Sequence, residues 1–271
     1  MRVIFWCDME GIAGITKWEQ VNSDQPMYQE GRMLYTNEIN ACVRASKKAG
    51  AKEIIVVDGH GAGGGYTFQS FILDKLERGA QYVFGHRWGC YIEPLKSGCD
   101  AMLMPGAHAK SGTPDGVLSH TMSSERWYNC YINNQLVGES ALVAGIAGTF
   151  NVPCVFVSGD EATCKDVKNL IGPDIVTCPI KKGLGRYAVR TLHPADACDL
   201  IEKKVYEALT KKKWPKPLKF KSPVTIKVEV TTPDRTDTFR GRTGVKIIGN
   251  RTIISKGKSF LQAWDQLWYR G

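Results

Sequence analysis

No apolar run in this chain of 271 residues approaches the roughly 20 needed to cross a bilayer. A helical membrane span is therefore excluded. The first residues run straight into an apolar stretch that carries Asp8, unlike a cleavable leader, and the expectation is a cytoplasmic protein. No C-x-x-C pair occurs among the nine cysteines, an odd number, which argues against both a zinc ribbon and a disulfide framework. They read as reduced, mostly buried small apolar residues. No recognition helix, zinc finger or RNP-like motif accompanies the formal charge of +9. Much of that excess sits in "KKKWPKPLKFK" (Lys211 to Lys221), where two prolines break any helix, so the run reads as a solvated linker and no nucleic-acid partner is expected. Internal repeats and low-complexity tracts are also missing.

What is there is a succession of short apolar strands and helical stretches. "RVIFWCD" (Arg2 to Asp8) is nearly all apolar, as a strand buried on both faces must be. Gln29 to Gly50 places Met33, Leu34, Ile39 and Val43 at helical spacing and ends in basic residues and glycine, a helix stop. A second strand, "EIIVVD" (Glu53 to Asp58), follows, and strand, helix, strand in that order predicts a parallel sheet. Strands at Gln81 to Gly85, Asp100 to Gly106 and Pro153 to Asp160, with helices at Gly138 to Phe150, Glu161 to Leu170 and Pro194 to Lys211, repeat the theme. The reading is α/β, a mostly parallel sheet flanked by helices, over residues 1–212. After the basic run, "VTIKVEV" (Val224 to Val230) alternates as a half-exposed strand should, and 213–271 reads as a small C-terminal α+β domain.

In open parallel sheets ligands gather beyond the carboxyl ends of the strands. Those ends carry Asp8 and Glu10, then Asp58 and His60 in "VDGHG", then His108 in "PGAHA", while Glu139 opens the helix after "NNQ". Asp8 and Glu10 are two residues apart, so in extended chain their carboxylates point the same way and need a cation between them. Asp8, Glu10, His60, His108 and Glu139 together are an N/O donor set suited to two Zn²⁺ ions with one carboxylate bridging. His120, in "LSHTM", stands apart from these motifs. His86 and His193 have no comparable setting and are given no chemistry. Two other readings compete. Gly59 to Gly64, "GHGAGG", matches the dinucleotide-binding G-x-G-x-x-G after a strand, although the next strand does not end in the acidic residue that would hold the ribose. A metal-holding or peptide-binding protein without turnover is the other.

Read in order, "D-M-E-G", "D-G-H", "G-A-H-A", "S-H-T-M" and "V-G-E" resemble the DppA-type zinc-dependent D-aminopeptidases, a family of binuclear metallopeptidases. The likeness runs from the first strand to about Gly159 and is looser beyond. Carried over by position, it implies the metal ligands Asp8, Glu10, His60, His108 and Glu139 for two zinc ions, and the family's catalytic histidine at His120, as nucleophile or as general acid/base. It implies removal of an N-terminal residue, a D-amino acid such as D-Ala, from short peptides or amides with a free N-terminal amine. It also implies a homo-oligomer, with a decameric ring as the family's form. The glycine-rich stretch after His60 and the threonine of "SHTM" depart from the pattern and bear on the substrate pocket. In the final stretch, Phe260, Leu261, Trp264, Leu267 and Trp268 form the stripe of an amphipathic helix, which either packs on its own domain or leaves aromatic surface for a neighbouring subunit.

Overall fold

The computed structural model describes residues 1–85 and 91–268. Its first half alternates strands and helices: β1 (Arg2–Cys7), α1 (Tyr28–Lys48), β2 (Glu53–Asp58), β3 (Gln81–Val83), the single turn α2 (Glu93–Lys96) and β4 (Ala101–Ala107). A hairpin, β5 (Trp127–Ile132) and β6 (Gln135–Val137), precedes α3 (Glu139–Thr149), β7 (Cys154–Asp160) and α4 (Glu161–Ile171). Then come β8 (Val176–Gly185), β9 (Ala188–Thr191), α5 (Pro194–Thr210), β10 (Val224–Val230), β11 (Val245–Ile248), β12 (Thr252–Gly257) and α6 (Phe260–Leu267). Seven strands form one sheet in the order β3, β2, β1, β4, β7, β8, β9, parallel except for the last pair. This is the α/β architecture that the apolar runs predict.

Successive residues of β1 face opposite layers, so each layer must be apolar. Val3, Phe5 and Cys7 pack with Tyr35, Ile39 and Val43 of α1 and Ile201 and Val205 of α5. Ile4 and Trp6 face the other way, into a core shared with Leu142 and Ile146 of α3. That second core continues into an antiparallel sheet of order β11, β12, β10, β5, β6.

Residues 213–271, read as a small α+β domain, supply three strands of this antiparallel sheet, and the other two come from inside 1–212. The hairpin's inward residues, Trp127, Cys130 and Ile132, need a partner to cover them, and β10 supplies it in the register Ile226 to Ile132 and Val228 to Cys130. Asn133 and Asn134, at φ 47° and 68°, make the two-residue turn whose twist suits a hairpin. The stripe of α6 turns inward: Phe260, Trp264 and Leu267 are buried, and Trp127, Trp264 and Trp268 form an aromatic cluster. Residues 211–221 form no regular element, as the prolines predict, yet Phe220 docks on Phe260. All eight cysteines among the described residues are free; Cys90 and His86 lie in 86–90, outside them. No helix among the described residues is long and apolar enough to cross a membrane.

Candidate metal centre

Three neighbouring strands, β2, β1 and β4, end at one point and bring the candidate residues with them. Asp8 and Glu10 lie in the turn after β1, His60 two residues beyond β2, and His108 directly after β4; Glu139 is the first residue of α3. The turns after β1 and β4 are knitted by Asp8 N–H to Pro105 O at 3.0 Å and Gly11 N–H to Gly106 O at 2.8 Å. Gly106 is required there. Its φ is +75°, and a Cβ on it would overlap the Asp8 carbonyl oxygen.

All six residues singled out in the sequence meet. His60 Nδ1 lies 3.0 Å from Asp8 Oδ1 and 3.3 Å from Glu10 Oε2. The other Asp8 oxygen, Oδ2, lies 3.3 Å from His108 Nε2, which is 3.4 Å from Glu139 Oε2. One carboxylate thus stands between two histidines, each with its own second carboxylate. His120 Nε2 is farther out, 3.9 Å from Glu10 Oε1, with its ring stacked on His108 at a centroid distance of 3.8 Å. With His108 and Glu139 it forms a triple whose ligand atoms lie within 4.8 Å of one another, as do those of Asp8, Glu10 and His108.

Each imidazole spends one nitrogen on a backbone carbonyl: His60 Nε2 on Val21 O (2.7 Å), His108 Nδ1 on Ala109 O (3.1 Å) and His120 Nδ1 on Leu118 O (2.9 Å). A carbonyl only accepts, so in each neutral ring the opposite nitrogen carries a lone pair directed into the cluster. Met122 N–H donates to Glu139 Oε2 at 2.8 Å and fixes that carboxylate.

Burial and like charge push the Asp8 carboxyl up to about 8. Burial also works against Glu10 and Glu139, yet His60 holds the first, and His108 the second, below the ordinary range. His60 is raised despite its burial because Glu10 and Asp8 face it, and His108 reaches about 10 through Glu139. Burial and the neighbouring His108 push His120 down to about 4. Divalent cations held at these atoms would balance the clustered carboxylates. Glu10 Oε2 and His108 Nε2 are buried and make no hydrogen bond among the described residues, so the donor set fits a metal at both.

A cavity of about 590 Å³ opens over the cluster, walled by Trp18, Phe68, Met122, Arg126, Trp264 and Trp268. That is room for a small ligand. Trp18 meets the edge of His120 at 5.4 Å.

The dinucleotide reading of Gly59 to Gly64 is overturned here. Between those glycines and β3 the chain forms only two 3-10 turns, Gly64–Tyr66 and Leu73–Lys75, so no α-helix N-terminus is present to receive a pyrophosphate. His193 caps α5, accepting from Ala195 N–H at 3.2 Å. Sequence reading missed Lys181. Its ammonium is buried beneath the Asp8–Glu10 turn and donates to Glu10 O, Ile12 O and Ile15 O at 2.6, 2.7 and 2.8 Å. Asp58, noted but given no role, accepts from Tyr35 Oη, His60 N and Ser70 N and braces the His60 turn.

Comparison with known proteins agrees with this geometry. The sequence model of the D-aminopeptidase family, peptidase M55, matches residues 1–269. A D-aminopeptidase of Bacillus subtilis (strain 168) is 31% identical over 270 residues, spanning 98% of this chain and 95% of that protein. The structure described as the Zn-dependent D-aminopeptidase DppA from Bacillus subtilis, a self-compartmentalizing protease, superposes with a TM-score of 0.90 at 30% identity, covering 98% of this chain and 95% of that one. Matched along almost its whole length in both sequence and fold, the chain belongs to the peptidase M55 family, the D-aminopeptidases.

Proposed function

We propose that this protein is a zinc-dependent aminopeptidase that removes the N-terminal residue, a D-amino acid such as D-Ala, from short peptides or amides. The observation that carries the reading is the pair of buried, unbonded donors, Glu10 Oε2 and His108 Nε2, on either side of a carboxylate whose two oxygens face different histidines. Asp8, Glu10, His60, His108 and Glu139 would hold the ions. When bound, such ions supply Lewis acidity, which polarises a carbonyl and makes water nucleophilic near neutral pH.

The chain's own residues do the rest. His120, farther from the carboxylates than His60 or His108, keeps its Nε2 lone pair toward the cavity floor, where it takes a proton and returns it to the leaving amine. Trp18 and Phe68 wall the cavity and exclude water from the bond to be cut. A free α-amine beside the scissile carbonyl would bind within the acidic cluster. The 95% coverage of a self-compartmentalizing relative supports a homo-oligomer, with a decameric ring as the arrangement proposed.

The test is a hydrolysis screen of D- and L-aminoacyl amides and dipeptides, free and N-acetylated. Cleavage confined to free amines, fastest for D-Ala, is the expected result. Equal rates for acetylated and free substrates would replace the aminopeptidase reading with an amidase or endopeptidase.

A further inference from the structure

His120 sits on the loop between β4 and β5. Leu118 and Met122, on either side of it, both adopt left-handed backbone angles, φ +49° and +60°, which are strained for side chains other than glycine. Such angles persist only where the surroundings over-determine them. Leu118 matters most, because its carbonyl accepts the His120 Nδ1 proton and so decides which ring nitrogen keeps the lone pair.

The peptide before Leu118 is gripped from a distant part of the chain. Asp160, the last residue of β7 and almost wholly buried, divides its two oxygens between two tasks. Oδ1 caps α4, accepting from Thr163 N and Thr163 Oγ1, each at 2.7 Å. Oδ2 reaches back 43 residues and accepts from Val117 N–H at 2.8 Å. A cap needs only the first oxygen. Leu118 N–H donates to Arg186 O and His120 N–H to Ala109 O, while Ser119 Oγ donates to Thr113 O, Thr121 Oγ1 accepts from Ser111 N–H and Met122 N–H donates to Glu139 Oε2; at the peptide before Leu118 the side-chain anchor is Asp160.

We propose that Asp160 is a positioning residue for His120: by holding the Val117–Leu118 peptide it aims the Leu118 carbonyl at Nδ1 and so presents Nε2 to the reacting centre. This rests on the reading of His120 as the group that moves the proton.

The atoms of Asp160 suggest the experiment. In Asp160→Asn the remaining oxygen still caps α4, since Asn is as good an N-cap as Asp, but an amide N–H₂ now faces the Val117 N–H. Donor meets donor, and the loop is released. Thr163→Val disturbs the cap alone and serves as the control. In zinc-loaded protein, Asp160→Asn should keep its metal content, with an unfolding midpoint lowered by the unpaired buried Val117 N–H, while kcat of the folded enzyme falls on the order of 10- to 100-fold and KM stays within threefold, the scale on which misplacing a catalytic group acts. Thr163→Val should leave kcat per folded enzyme unchanged. In a His120→Ala background, Asp160→Asn should lower kcat no further. Nitrogen-15 NMR of the histidine rings, with His120 assigned by its loss in His120→Ala, should show its Nδ1–H signal shifted or broadened in Asp160→Asn.

An unchanged His120 Nδ1–H signal overturns the proposal, as does an equal loss of kcat in both backgrounds. Should His120→Ala turn over like wild type, the role of His120 in the reaction falls, and the NMR signal still decides whether Asp160 orients its ring. If Asp160→Asn does not fold, Asp160→Ser, a good cap without a second oxygen, is used in its place with the same outcomes.

Discussion

Replacing Lys181 with methionine removes a cation that holds up the turn bearing Asp8 and Glu10. Lys181 Nζ has three donors and spends them on three backbone carbonyls, Glu10 O, Ile12 O and Ile15 O. Methionine fills similar space and leaves Glu10 O and Ile15 O without a partner among the described residues, while Ile12 O keeps only Ile15 N–H, at 3.2 Å. Each hydrogen bond from a charged donor contributes about 1.5–3 kcal/mol net, whereas keeping an ammonium out of water costs several kcal/mol in the wild type. Losing one side of such a buried arrangement costs roughly 3–5 kcal/mol, since the orphaned partners stay behind. At about 2–4 °C per kcal/mol for a chain of this class, the unfolding midpoint of Lys181→Met should fall by roughly 6–20 °C. Burial pushes the Lys181 ammonium down to about 8, so the comparison belongs near pH 6.5, where the cation is present. Because the turn carries two candidate ligands, zinc affinity should fall by about 10- to 100-fold, as on loss of a group supporting the ligands. Calorimetry and competition with a chromophoric chelator read the two effects. A midpoint within 1 °C of wild type, or zinc affinity within about twofold, would refute the reasoning.

Three further outcomes are expected. His60→Ala and His108→Ala should each lose bound metal and activity together; elemental analysis finding wild-type metal in both would remove them from the ligand set. His120→Ala should retain its metal while kcat falls by roughly two orders of magnitude or more; loss of a zinc ion instead would make it a ligand. Glu38 is buried, its carboxyl pushed up to about 8 by burial although Ala13 N–H and Lys181 oppose this. A carboxyl raised above its unfolded value of 4.5 contributes stability that is present below that value and lost as pH rises through 8. Glu38→Gln cannot titrate, so its stability relative to wild type should rise between pH 5 and pH 8; denaturant midpoints that keep a constant difference would contradict this.

The parallel sheet was legible because a strand covered on both faces has to be apolar throughout, as "VIFW" and "IIVV" are. The candidate centre was legible for a related reason: Asp8, His60 and His108 interrupt those runs where the strands end. The β5–β6 hairpin was harder to read. Tyr128 and Asn129 point away from the core between the buried Trp127 and Cys130, and the strand is too short for a clear period. Its one strong mark was the Asn133–Asn134 pair, which suits the positive φ of a tight turn. Lys181 and the second task of Asp160 left no mark, because the partners involved, the carbonyls under Lys181 and Val117 N–H, are backbone groups distant along the chain. A lysine that binds carbonyls 166 to 171 residues away has no motif. Trp264 shows the opposite limit: its helical stripe was plain, but which surface it covers depended on β5, a strand the pattern did not reveal.

Stripping the protein with a chelator and titrating zinc back, while following hydrolysis of D-alanine amide, puts the metal reading to the test. Activity should be lost with the metal and return in proportion to added zinc until about two ions per chain are bound, the number proposed for the five-ligand set. Full turnover by protein holding less than about a tenth of an ion per chain would contradict it.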